Sequence, residues 1–105
     1  MLRTLVYAAA FLFAGASAAL AADGATIYKD QCAKCHGDTG KADTTVGKAM
    51  KVPPLLGDAN VQKMSVADIA ARISGNAKHP PAIKSLSADD INATAEFVKQ
   101  LAGGQ

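Results

Sequence analysis

Cys32-Ala33-Lys34-Cys35-His36-Gly37 is the stretch on which the reading of this chain turns. It holds a C-x-x-C-H run, the spacing of a covalent haem attachment site. Two thiols can add to the two vinyl groups on neighbouring edges of a porphyrin, and two intervening residues give the chain the reach to bridge them. His36 follows the second thioether directly, which holds its imidazole under the iron as the proximal axial ligand. Cys32 and Cys35 are the only cysteines of the chain, so no thiol is left for a structural disulfide. A thioredoxin-like redox pair belongs at a strand-to-helix turn, and no strand-like run surrounds this one. A structural zinc site wants four ligands. The available set is Cys32, Cys35, His36 and His79, in which the adjacent Cys35 and His36 suit a tetrahedron poorly.

Ahead of the motif, Arg3 forms a short basic region, Leu5 to Phe13 is apolar, and Ala19-Leu20-Ala21 fits an A-x-A cleavage pattern. Residues 1–21 are therefore expected to be a cleaved signal peptide, leaving 22–105 as a single domain in the periplasm. The alternative is a retained anchor: Thr4 to Ala22 is 19 uncharged residues, close to the about 20 of a spanning helix. Its alanine-rich second half makes a poor lipid-facing surface, which favours cleavage and no membrane attachment afterwards. Export also suits two thiols that must meet haem outside the cytoplasm.

A domain of this size has a small apolar core and often needs a staple. Beyond the signal its only aromatic residues are Tyr28 and Phe97, and a buried porphyrin would supply the missing core volume. Without Arg3 the balance is ten Lys/Arg against nine Asp/Glu, mixed in sign along the chain. That is no electrostatic footprint for nucleic acid, and it predicts weak steering toward partners.

The elements read as all-α. Asp23 caps a first helix that runs through Tyr28 into the haem motif and stops at Gly37. Tyr28 lies four residues before Cys32, on the same helical face. From Gly37 to Val61, repeated Gly and Pro break any period, so a long loop is expected to wrap the haem. A backbone carbonyl at Pro53 or Pro54 is expected to accept the Nδ1 proton of His36, a bond of the kind that orients metal-bound imidazoles. Ser65-Val66-Ala67-Asp68 opens a helix that buries Val66, Ile69, Ala70 and Ile73 and closes at Gly75. Ser87-Ala88-Asp89-Asp90 opens the last helix, whose apolar face is Ile91, Ala95, Val98 and Leu101 or Ala102.

In its order and spacing of motifs the chain resembles a small bacterial class I c-type cytochrome. The resemblance runs from Tyr28 and the C-x-x-C-H-Gly37 run through Pro53-Pro54-Leu55-x-Gly57 and Ile73-x-Gly75. It continues through Leu86-Ser87-x-Asp89-Asp90-Ile91 to Phe97-Val98. It implies a cytochrome c fold of three main helices and a long loop around one covalent haem c. It also implies crossed terminal helices with Tyr28 and Phe97 near the crossing, and Tyr28, Pro53 and Pro54 among the haem-binding residues. The implied activity is one-electron transfer between redox partner proteins, and not an enzymatic reaction.

The family pattern places a methionine before proline as the second axial ligand, where this chain has His79-Pro80-Pro81. The candidates for the sixth position are His79, Met64 and Met50. His79 has the matching place and a stiff setting, because proline restricts both itself and the residue before it. Met64 precedes the Ser65 cap, the place of a hydrophobic staple to Ile69, so it is expected in the core and stands as the fallback ligand. Met50 is expected to pack within the loop. Two imidazoles favour Fe(III), whereas methionine raises the potential, so a lowered midpoint is expected. The alternative function is a haem enzyme or gas sensor with a labile or open sixth position.

Overall fold

A computed structural model describes residues 23–104, and the expected signal segment lies outside the described residues. All regular elements among them are helical. The Asp23 carboxylate accepts from Ala25 N–H and starts a continuous helical run, residues 24–36. This run has three parts: α1 (Gly24–Ile27), a π-helical turn (Tyr28–Cys32) and α2 (Ala33–His36). Gly37, at φ 80°, ends it.

The π turn departs from the expected uniform helix. Ala33 N–H donates to the Tyr28 carbonyl five residues back. Ala33, rather than Cys32, therefore stands one turn above Tyr28, and both are buried while Cys32 is half-buried. One extra residue in a turn rotates everything downstream by about 100°. Cys35 and His36 thus face a direction that an uninterrupted α-helix would not give them.

The expected Gly37–Val61 loop contains two short helices, α3 (Thr45–Ala49) and α4 (Ala59–Lys63). Each has a side-chain cap: Thr44 Oγ1 accepts from Gly47 N–H, and Asp58 Oδ1 from Asn60 and Val61 N–H. Then come α5 (Val66–Gly75), α6 (Pro81–Lys84) and α7 (Ala88–Ala102). Ser65 and Ser87 cap α5 and α7 as the sequence predicts, accepting from Asp68 and Asp90 N–H at 3.1 Å each. Pro81 occupies the first turn of α6, where its missing N–H costs nothing.

The core lies between α7 and the helices packed on it. Ile69, Ala70 and Ile73 of α5 join Ile91, Ala95, Val98 and Leu101 of α7, with Tyr28, Ala33 and Ile83 in the same cluster. Val66, expected in the core, is only partly buried against it. The first helix crosses α7 so closely at Gly24 that a Cβ there would overlap the Ala93 carbonyl. Just beyond the crossing, the Tyr28 and Phe97 rings pack at 5.1 Å between centroids, tilted by 53°. Thr94 is fully buried on the inner face of α7, its hydroxyl donating to the Asp90 carbonyl at 2.7 Å.

The loop is folded on itself and tied to the last helix. Leu55 and Leu56 N–H donate to the Gly40 carbonyl, and Gly57 N–H donates to the Ala102 carbonyl. Gln62 Nε2 also reaches Ala102, and Lys99 Nζ reaches the Met64 carbonyl at 2.7 Å. These bonds hold 55–64 against the end of α7.

Candidate functional site

Two half-buried thiols, Cys32 and Cys35, sit at the end of the first helical run with the half-buried His36 after them. Burial, reinforced by neighbouring Cys35, pushes the Cys32 thiol up to about 11. Burial, with a contribution from His79, pushes His36 below its ordinary value. In the free chain its imidazole is therefore neutral at pH 7, the form that binds metals.

Thr44 braces the motif from the loop side. Its hydroxyl donates to the Lys34 carbonyl at 2.6 Å and lies 3.3 Å from the Cys35 carbonyl. The same oxygen caps α3. Ala42 N–H donates to the His36 carbonyl at 2.8 Å. These bonds take up carbonyls at the open end of α2.

His79 arrives from the other side, in the turn between α5 and α6. Its ring centre lies 6.2 Å from that of His36, with the ring planes at 73°. Two imidazoles on opposite sides of one metal, each nitrogen about 2.0 Å from it and about 1.1 Å from its own ring centre, put the centres about 6.2 Å apart. His79 Nδ1 lies 2.7 Å from the Ile73 carbonyl. A carbonyl only accepts, so Nδ1 carries the proton and Nε2 keeps its lone pair for a metal.

His36 differs. Its Nδ1 is buried and has no hydrogen-bond partner among the described residues. The expected bond from Nδ1 to a Pro53 or Pro54 carbonyl is absent, and both prolines are exposed. The neighbouring Leu55–Gly57 amides are committed to Gly40 and Ala102, which holds the proline segment toward the end of α7.

Met64 is partly buried against the core cluster that contains Ile69, as the staple position predicts. Met50, expected to pack within the loop, is instead 47% exposed, beside the similarly exposed Val46 of α3. Both stand at the edge of the segment that Thr44 braces. Tyr28 is buried and donates its hydroxyl to the Gly37 carbonyl at 2.7 Å. That bond fastens the end of the haem motif.

Among the described residues no group of three or more His, Cys, Asp or Glu is arranged to hold a metal ion. Two facing histidines alone suit a metal whose remaining positions are filled by a planar ligand, and two adjacent thiols suit attachment of that ligand. These residues fit a covalently bound haem. Thr44 and Asp58 were missed in the sequence, where each was legible only as a residue type that can cap a helix. The partner of His79 was not, because Ile73 contributes its backbone and not its side chain.

Residues 19–98 match the family described as cytochrome c oxidase, cbb3-type, subunit III. The chain is similar to the cbb3-type cytochrome c oxidase subunit CcoP of Azospirillum brasilense, at 33% identity over 90 residues. It is also 33% identical over 98 residues to the CcoP subunit of Cereibacter sphaeroides. Each alignment covers 84% of this chain and 30% of the relative, so the chain spans less than a third of their length. With its all-helical fold and C-x-x-C-H motif, the chain belongs to the cbb3-type subunit III family and is a c-type cytochrome domain.

Proposed function

We propose that this protein is an exported one-electron carrier with a single haem c, attached through Cys32 and Cys35 and held between His36 and His79. The carrying observation is the 6.2 Å separation of the two imidazole centres, with His79 Nδ1 committed to the Ile73 carbonyl. Bound there, the haem supplies a one-electron Fe(III)/Fe(II) couple. Cys32 and Cys35 fix its edge, and His36 holds the proximal position. His79 fills the position that a substrate or gas would need, which suits electron transfer and not catalysis. A second imidazole in place of methionine lowers the midpoint potential.

The relatives named above are subunits of a cytochrome c oxidase, which supports protein redox partners rather than a small-molecule substrate. No helix among the described residues is long and apolar enough to cross a membrane. Export to the periplasm rests on the N-terminal pattern of Arg3, Leu5 to Phe13 and Ala19-Leu20-Ala21.

The experiment is the absorption spectrum of the oxidised holoprotein in the far red. The expected result is a low-spin spectrum without the weak sulfur-to-iron band. Its presence would mean methionine ligation, with Met64 as the residue to replace next. A high-spin spectrum would mean an open sixth position and a haem enzyme or gas sensor.

A further inference from the structure

The two imidazoles are held in unequal ways. His36 Nδ1 has no partner among the described residues, whereas His79 Nδ1–H donates at 2.7 Å to the Ile73 carbonyl. Ile73 lies in the last turn of α5, whose Arg72 carbonyl is already taken by Asn76 N–H at 3.1 Å. Carbonyls at a helix C-terminus lack intrahelical donors and carry the negative end of the helix dipole. The His79 ring thus serves as a side-chain cap for α5.

The ring reaches that carbonyl because the chain reverses within four residues, and Asn76 makes the reversal. Its Oδ1 accepts from Lys78 N–H at 2.9 Å, and its carbonyl accepts from His79 N–H at 3.1 Å. An asparagine that bonds the backbone two residues on imposes a local turn. Pro80 and Pro81 stiffen the exit.

We propose that Asn76 is a positioning residue for His79, holding its Nδ1–H on the Ile73 carbonyl so that the end of α5 strengthens Nε2 as an iron ligand. This rests on His36/His79 ligation. A hydrogen bond to the outer ring nitrogen raises the basicity of the inner one. An acceptor at the negative end of a helix adds to that effect, and the gain is larger for Fe(III) than for Fe(II). The fold therefore tunes the iron through the distal histidine, while His36 Nδ1 has no partner among the described residues.

The test is equilibrium binding of carbon monoxide to the reduced holoprotein, where the gas must displace His79. Loss of such outer partners weakens metal ligation by about 10–100-fold. Asn76→Ala is therefore expected to raise the apparent carbon monoxide affinity at least about tenfold and to raise the midpoint. Asn76→Asp keeps the turn acceptor and is expected to keep the wild-type affinity. An Asn76→Ala affinity equal to wild type, with His79→Ala far tighter, overturns the proposal and leaves the ligation standing. Wild type binding the gas as tightly as His79→Ala overturns both. Should Asn76→Ala not fold, proton NMR of the wild type decides. A His79 ring N–H in slow exchange with water is expected, and fast exchange overturns the proposal.

Discussion

The Tyr28 hydroxyl donates to the carbonyl of Gly37 across the whole haem motif, a buried bond of 2.7 Å. It joins the π turn that begins the motif to the glycine that ends it. Tyr28→Phe keeps the ring contact with Phe97 but removes one of the two donors to the buried Gly37 carbonyl, which keeps the Gly40 N–H at 3.1 Å. The expected cost is about 0.5–1.5 kcal/mol, the net worth of one hydrogen bond, read by denaturant unfolding.

The same residue predicts a pH dependence. Burial first, and the negative charges of Cys32 and Asp38 next, push the Tyr28 phenol above its ordinary value of 10.0. Folding thus favours the neutral phenol. Its contribution to stability is complete below pH 10 and falls as pH rises from there toward the folded value. In the holoprotein Cys32 carries a thioether and no charge, and the burial contribution remains. Stability of the wild type is expected to decline above pH 10 more steeply than that of Tyr28→Phe; parallel curves would contradict this.

Gly24→Ala tests the helix crossing. In an open helix the change stabilises by about 1 kcal/mol. Here the new methyl would overlap the Ala93 carbonyl on α7, so the sign is expected to reverse. Forced separation of packed elements costs about 1–3 kcal/mol, seen as a lower thermal midpoint. A higher midpoint would mean that the terminal helices part easily.

Thr44→Val removes the cap of α3 and the bond to the Lys34 carbonyl while keeping the shape of the side chain. Loss of a threonine cap costs about 0.5–2 kcal/mol. Faster amide exchange is expected in 44–49 and at the end of α2, with α5 and α7 unchanged.

His79→Met offers iron a thioether on the same proline-stiffened segment. The far-red band is expected to appear and the midpoint to rise. His79→Ala is expected to open the sixth position to carbon monoxide. A variant whose spectrum matches wild type in both cases would remove His79 from the iron.

The helical class, the haem motif and the long helices were legible because their signals are local. Ser65 and Ser87 cap α5 and α7 at the predicted places, and the expected apolar face of α7, Ile91, Ala95, Val98, Leu101 and Ala102, is buried. The short helices α3 and α4 were hidden by the glycines and prolines around them, although Thr44 and Asp58 are ordinary cap residues. The π turn left no mark in the pattern. With it, Tyr28 and Ala33 are both buried in a cluster whose other members lie on α5, α6 and α7, far along the chain.

The amino-acid sequence by itself determined the chemistry: two thiols at haem-bridging spacing, one histidine behind them, and a second on a proline-stiffened segment. Covalent spacing and backbone restriction act between neighbours, so a linear pattern carries them. Only the tertiary structure decided that His36 and His79 face each other at 6.2 Å, and that Ile73 takes the ring proton of one while the other has no partner among the described residues. Those outcomes depend on where α5 and α7 pack and on backbone carbonyls, which every residue possesses and no sequence pattern distinguishes.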